Sequence, residues 1–372
     1  MKDDIVFYKE TAVCIAVTRN ELTQISPEII RYHRKARCIM TKIIAYHVRD
    51  EELDIIQKWE EKHGVEVKTV ENQLTADNIH LAEGFDGLTT SQNKPLPDGI
   101  YETLRSLGIR QIAQRSAGYD VYDLEEATKN EIIVSNVAVY SPESIAEFTL
   151  TQALMLIRKV RSIEERTEKR NFSWQPEIQG RLLAEMTVGI IGTGHIGRSA
   201  AKLFNALGAK VLGYDIYPND KAKEFLEYKE SIEDVIKQAD IVSLHMPATD
   251  DNHHQFNYDM FKKFKPTAYL INNARGSIVD TEGLIKALDD NLLAGAALDT
   301  YERESSYVPK DNREAGISDE LFNAILDHDK IMYTPHIAYY TNVSVRNIMT
   351  IGLDTTLEVI ETGDTKNRVN DI

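Results

Sequence analysis

The run from Met186 to Leu207 constrains this chain more than any other. Met186-Thr187-Val188-Gly189-Ile190-Ile191 is apolar, Gly192-Thr193-Gly194-His195-Ile196-Gly197 reads G-x-G-x-x-G, and Ala200, Leu203, Phe204 and Leu207 recur at helical spacing. A strand that enters a helix through such a turn forms a crevice for a dinucleotide. The first glycine permits the tight turn. The second lets the backbone approach a pyrophosphate at the helix N-terminus, and the third lets helix and strand pack closely. Gly192, Gly194, His195, Ile196 and Gly197 are therefore candidate cofactor contacts. The next predicted strand, Lys210 to Tyr214, ends at Asp215. A carboxylate there accepts hydrogen bonds from ribose hydroxyls and repels a 2′-phosphate. Ile216, Tyr217 and Pro218 follow without an arginine, so NAD is expected rather than NADP.

The rest of the chain supports an α/β fold. From Met40 onward predicted strands alternate with helices, which implies parallel sheets. The first series has strands at Lys42 to His47, Val65 to Val70, Gly87 to Thr90, Gln111 to Gln114 and Ile132 to Ser135. Ser141-Pro142 then opens a long helix, with serine as N-cap and proline at the first helical position. A second series follows, with later strands at Ile241 to His245, Tyr269 to Asn272, Gly295 to Leu298 and Lys330 to Tyr333, and a final helix from Asn342 to Ile360. Residues 1–39 show weak periodicity and no turn-bounded elements. They read as an appendage outside the fold or the product of an upstream start codon.

Charge narrows the partners. Lys and Arg total 43 against 59 Asp and Glu, a net charge of −16, which repels nucleic-acid phosphates and anionic membranes. The stretch Arg158 to Arg170 mixes basic residues with glutamates and reads as a solvated helix face. The only two cysteines, Cys14 and Cys38, lie outside every motif and suit a reducing cytoplasm. No apolar run approaches the roughly 18 residues of a membrane span.

Ends of strands in the second series collect the chemistry-bearing residues. Met246, Pro247 and Asn252 fall near the expected adenosine end of the crevice, and Asp299 near the nicotinamide end. Arg275, Glu304 and His336 each follow a predicted strand. An arginine can grip a carboxylate bidentately, a histidine can give or take a proton near neutral pH, and a carboxylate partner favours the imidazolium. Spacing alone leaves Glu302 level with Glu304, and leaves His195 and His245 as rivals to His336. His253-His254 lacks the helical spacing of a metal pair, and no carboxylate cluster accompanies it, so no metal is expected.

These residues carry a resemblance. The glycine fingerprint, Asn273-Ala274-Arg275-Gly276, Leu298-Asp299-Thr300-Tyr301-Glu302-Arg303-Glu304 and Thr334-Pro335-His336-Ile337-Ala338-Tyr339-Tyr340-Thr341 together resemble the D-2-hydroxyacid dehydrogenases, nearest to the bacterial D-lactate and D-2-hydroxyisocaproate branch. The likeness runs from about Met40 to about Val369. It implies two Rossmann-like domains around a central cleft: a substrate domain from 40–140 plus 338–372, and an NAD domain from 141–337. It implies catalysis by Arg275, Glu304 and His336, further cofactor contacts from Asn273, Ala274 and Arg275, and a homodimer packed through the helix matching Ser141 to Ile163. Formate dehydrogenases of the superfamily carry glutamine where Glu304 stands, so that reaction is not implied.

The resemblance also places the substrate. Its carboxylate would meet Arg275 and the backbone of Arg115-Ser116-Ala117-Gly118-Tyr119-Asp120, with Ala117, Gly118, Tyr140 and Tyr339 as contacts. Ser116, Ala117 and Tyr119 depart from the usual Arg-Asn-Val-Gly pattern. Ser91 stands where lactate-specific members tend to have tyrosine, and losing that ring should admit branched 2-oxoacids. A second reading is an NAD-regulated binding protein like the C-terminal-binding corepressors. Such proteins tend to carry long flanking tails, whereas this chain has a short C-terminus and all three candidate catalytic residues.

Overall fold

The computed structural model describes residues 6–10, 13–17 and 40–371. Residues through Ala138 together with those from Ile348 onward form one compact unit, and Val139–Asn347 the other. The second crossing falls inside the helix Asn342–Thr362, so residues 338–347 lie with the central unit. The resemblance instead implies that 338–347 belong to the substrate domain.

Strands β1 (Val6–Glu10) and β2 (Val13–Val17) pair antiparallel as a sheet of their own, Val6 opposite Val17. This strand pair lies within 1–39, where the sequence shows only weak periodicity. The rest of that segment, like Ile372, lies outside the described residues.

In the first unit β3 (Lys42–Tyr46), β4 (Glu66–Val70), β5 (Gly87–Thr90), β6 (Gln111–Gln114) and β7 (Ile133–Ser135) form a parallel sheet in the order β4-β3-β5-β6-β7. Successive side chains of a strand point to opposite faces. Ile43 and Ala45 accordingly pack with Ile56, Trp59, Met349 and Leu353, while Ile44 and Tyr46 pack with Leu88, Leu104, Ile112 and Val134. Trp59 donates its indole N–H to Asp354 at 2.7 Å, which fixes helix Leu53–His63 to the returning C-terminal helix.

The second unit holds seven parallel strands. They are β8 (Thr187–Ile191), β9 (Lys210–Tyr214), β10 (Glu227–Tyr228), β11 (Ile241–Leu244), β12 (Tyr269–Asn272), β13 (Gly295–Leu298) and β14 (Ile331–Tyr333), in the order β10-β9-β8-β11-β12-β13-β14. The order reverses at β8, so the chain leaves β8 on one side and β11 on the other. Such a switch point opens a crevice at the carboxyl ends of the strands. Those ends lead directly to Gly192, Asp215, His245, Asn273, Asp299 and Thr334.

The expected helix from Ser141 to Ile163 is two helices, Pro142–Ile157 and Val160–Glu168. Lys159 breaks them with φ +56° and donates its ammonium to the Tyr269 hydroxyl at 3.0 Å. Ile157, Val160 and Ile163 keep a helical interval across the break, which hides it from a periodicity reading. Ser141 stands at the N-cap, but its hydroxyl meets Ser144 at 2.8 Å and caps no backbone N–H. Among the described residues no helix is long and apolar enough to cross a membrane.

Candidate active site

The glycine turn meets the needs of a dinucleotide. Gly192 sits at φ +90°, where a Cβ would lie 2.7 Å from the backbone of His245 and Met246. A Cβ on Gly197 would collide with the Gly192 carbonyl oxygen, while one on Gly194 would meet nothing within 4 Å. The turn and the close packing thus need their glycines, and the middle position faces open space at the start of helix His195–Ala206. That helix has no side-chain cap, so its first N–H groups remain for an anion. Gly194 and His195 are exposed, Ile196 half-buried and Gly197 buried. Asp215 accepts from Thr193 N at 2.5 Å, Thr193 Oγ1 at 3.0 Å and Tyr217 N at 2.9 Å, which ties its carboxylate to the turn.

The other expected cofactor residues are arranged unequally. Met246 is half-buried and Pro247 exposed. Asn252 commits its side chain to its own loop, accepting from Thr249 N and donating to Pro247 O, both at 2.8 Å. Asn273 donates to Thr149 Oγ1 at 2.9 Å, and its buried Oδ1 finds no partner among the described residues. Ala274 is buried, its N–H on Asn272 Oδ1 at 3.1 Å.

The second unit brings Glu304 and His336 together. His336 donates Nδ1–H to Glu304 Oε1 at 2.6 Å, and Glu304 Oε2 accepts from Tyr301 N at 2.7 Å. A carboxylate can only accept here, so Nδ1 carries the proton and Nε2 is the nitrogen left to face a substrate. His336 sits at φ +52°, a costly conformation for a non-glycine residue. Asp299 holds it there. Its carbonyl accepts from His336 N at 2.7 Å, and its carboxylate accepts from the Thr334 hydroxyl, Ile337 N at 3.0 Å and Ala338 N at 2.8 Å. Burial pushes the Asp299 carboxyl above its ordinary pKa, although these hydrogen bonds pull it down. Tyr339 stands edge-on to both His336 and Tyr140, with ring centroids 6.4 and 6.3 Å apart. Burial raises the Tyr140 hydroxyl to about 12, Tyr339 adds to the rise, and Arg275 opposes it. Arg275 itself is half-buried and donates Nη1–H to the Ala274 carbonyl at 2.9 Å.

Ser91, Ala117 and Gly118 belong to the first unit. The Ala117 carbonyl accepts from Asn136 Nδ2 at 2.7 Å and the Gly118 carbonyl from Ser116 Oγ at 2.6 Å. The loop's carbonyls are thus turned onto protein side chains, the arrangement required if its N–H groups are to meet a carboxylate.

Residues 150–338 match the family described as D-isomer specific 2-hydroxyacid dehydrogenase, NAD binding domain. The D-lactate dehydrogenase of Streptococcus pyogenes serotype M1 is 52% identical over 329 residues, 88% of this chain and 100% of that relative. This chain belongs to the D-2-hydroxyacid dehydrogenases. Its structure is similar to the NAD-complexed D-isomer specific 2-hydroxyacid dehydrogenase of Lactobacillus delbrueckii ssp. bulgaricus, with TM-score 0.80 and 38% identity, and to D-2-hydroxyisocaproate dehydrogenase, with TM-score 0.83 and 34% identity. Each comparison covers 89% of this chain and 100% of the other. The protein is an NAD-dependent oxidoreductase.

Several contacts near these residues were not indicated by the sequence. His47, at φ +53°, donates Nδ1–H to the Ser91 carbonyl at 2.6 Å, so a ring from another segment stands against the Ser91 backbone. Burial lowers the His47 pKa, and the Ser91 bond works against that. Arg115 turns inward, fully buried, and donates to the Tyr46 and His47 carbonyls at 2.8 Å each. Its pKa is lowered to about 10 by burial, with Glu52 raising it. Glu302 does not reach His336. It meets His253 and His254 instead, giving the histidine pair one carboxylate partner. Glu302 is distant in sequence from that pair, so spacing could not reveal it.

Proposed function

We propose that this dehydrogenase reduces small 2-oxoacids to D-2-hydroxyacids, turning over pyruvate and accepting branched acids such as 2-oxoisocaproate at least as well. The observation that carries the assignment of roles is the His336–Glu304 hydrogen bond, which commits Nδ1 and leaves Nε2 for the substrate. NADH, when bound, supplies the hydride. His336 gives its Nε2 proton to the carbonyl oxygen in reduction and takes it back in oxidation. Glu304 fixes the ring and its tautomer. Arg275 grips the substrate carboxylate with two guanidinium N–H groups, and the Ala117 and Gly118 backbone adds further donors. Gly192, Gly194, His195, Ile196, Gly197 and Asp215 would hold the pyrophosphate and adenosine ribose. Met246, Pro247, Asn252, Asn273, Ala274 and Asp299 would line the rest of the cofactor's path, and Ser91, Tyr140 and Tyr339 the substrate's side chain.

In this reading the unit made from both chain ends binds the substrate, and the central unit binds NAD. The working form is a cytoplasmic homodimer packed through helix Pro142–Ile157. Size-exclusion chromatography with light scattering checks the dimer, and a monomer mass sinks it.

The deciding experiment follows NADH oxidation with pyruvate, 2-oxoisocaproate and phenylpyruvate and determines the product's chirality. D-products from the panel are expected. L-products would refute the stereochemical assignment. A pyruvate efficiency tenfold or more above that of 2-oxoisocaproate would refute the part assigned to Ser91. Binding of NADH without turnover of any 2-oxoacid would favour a corepressor-like protein.

A further inference from the structure

We propose that His253, His254 and Glu302 form a binding site for a divalent transition-metal ion of the zinc class, separate from the catalytic residues. The two imidazole rings stack, with centroids 3.9 Å apart and planes 23° from parallel. Each presents Nε2 to a different oxygen of one carboxylate: His253 to Oε1 at 2.8 Å and His254 to Oε2 at 2.9 Å. One ligand atom from each residue can be chosen so that all three lie within 4.8 Å of one another. Around a tetrahedral ion with bonds of roughly 2.0–2.2 Å, neighbouring ligand atoms stand about 3.3 Å apart. An ion lies near the plane of each imidazole it binds, so the stacked rings must rotate apart before both Nε2 atoms and the carboxylate converge on it, each imidazole binding as its Nδ1–H tautomer.

The donor set selects the ion. Two imidazoles and a carboxylate suit Zn²⁺, Co²⁺ or Ni²⁺, and disfavour Mg²⁺ and Ca²⁺, which take oxygen ligands. His253 is exposed and the other two side chains are half-open, so water completes the coordination and the ion exchanges. The frame around the site is fixed by backbone contacts. His254 N donates to Ser277 O at 2.8 Å and Phe256 N to Ile278 O at 3.0 Å. Gly276 packs so closely on the backbone of Tyr301 and Glu302 that a Cβ there would collide. A bound ion would thus cross-link the loop after β11 to the stretch that presents Glu304, beside the segment that follows Arg275.

The test titrates untagged, chelator-stripped full-length protein with Co²⁺, reading the visible d–d bands and the heat of binding, with Zn²⁺ as competitor. One Co²⁺ per chain is expected, displaced by Zn²⁺, together with a rise in the thermal midpoint on loading. His253→Ala, His254→Ala and Glu302→Gln should each weaken binding by about tenfold or more, while exposed His80→Ala should leave it unchanged. Thermal unfolding in chelator verifies that each variant is folded. The three-ligand site is overturned if any of the three folded variants keeps the parent affinity, if His80→Ala removes the bands, or if the parent protein binds neither Co²⁺ nor Zn²⁺.

Discussion

Acid should destabilise this dehydrogenase through a histidine that does no chemistry. His245 follows β11 and backs the glycine turn, donating its N–H to Ile191 O at 2.7 Å. Its Nε2 lies 2.9 Å from Ser243 Oγ, while Nδ1 is sealed from solvent with no partner among the described residues. An imidazolium needs an acceptor for both N–H groups, and one of them would have none. Burial accordingly lowers the ring's pKa from 6.5 to about 4. Between those values the unfolded chain binds the extra proton and the folded chain refuses it. Stability is therefore untouched above the unfolded value and falls as pH drops from about 6.5 towards about 4. At about 1.4 kcal/mol per pH unit the full loss is about 3 kcal/mol, of which about 2 kcal/mol is reached near pH 5. Glutamine can keep a bond to Ser243 and carries no titratable proton. Urea unfolding of the parent and of His245→Gln, compared near pH 7.5 and near pH 5, isolates the effect. The parent should lose about 2 kcal/mol more than the variant between those conditions, whatever the variant loses at neutral pH. Parallel losses would refute the assignment, because they would show that the ring is not a proton acceptor withheld by folding.

Three further substitutions probe the site itself. Arg275→Lys should raise the Michaelis constant for the 2-oxoacid about tenfold or more, since an ammonium cannot make the bidentate contact; steady-state kinetics over a substrate series measures it. Glu304→Gln should lower kcat by about 10- to 100-fold with NADH affinity unchanged, because the carboxylate bonds His336 and not the cofactor turn; fluorescence titration with NADH separates the two effects. Gly197→Ala should cost about 2 kcal/mol and weaken NADH binding, because a methyl group there meets the Gly192 carbonyl; urea unfolding and the same titration check both.

Much of this was legible because the signals are local. The strand β8, its three glycines and the helix behind them sit in one stretch of chain, and Gly197 answers a steric demand from Gly192 five residues earlier. Most strands of the two parallel sheets are buried runs rich in apolar residues and bounded by turn signals, so their limits fall close to expectation. What was missed depends on contacts distant in sequence. Strand β10 has two residues, too few for any period. The break at Lys159 is bonded to Tyr269. His47 supports Ser91 through one hydrogen bond across two strand ends, and no spacing rule connects them. Asp299 drew notice as a cofactor contact, yet its carboxylate bonds the turn that places His336.

The pair Glu302 and Glu304 shows how fine the structural decision is. Both are glutamates in one short stretch with an arginine between them, and composition cannot separate them. The choice is made by Tyr301. Its ring is buried and stacks on Phe322 with centroids 4.8 Å apart, and its hydroxyl donates to Asp319 at 2.9 Å. That anchor fixes the backbone at which the stretch leaves β13. The Tyr301 N–H then captures Glu304 Oε2 as the chain tightens into the 3₁₀ turn Glu304–Ser306, which leaves Oε1 for His336. Glu302, one residue past the anchor, points to His253 and His254. Arg303 takes its own partner in Asp319 at 3.4 Å and competes for neither carboxylate. One buried aromatic residue thus divides two identical side chains between His336 and the proposed metal site. Tyr301→Leu should therefore lower kcat and weaken Co²⁺ binding in the same protein, whereas Glu302→Gln should weaken only the metal. Equal effects of the two variants on kcat would refute that division.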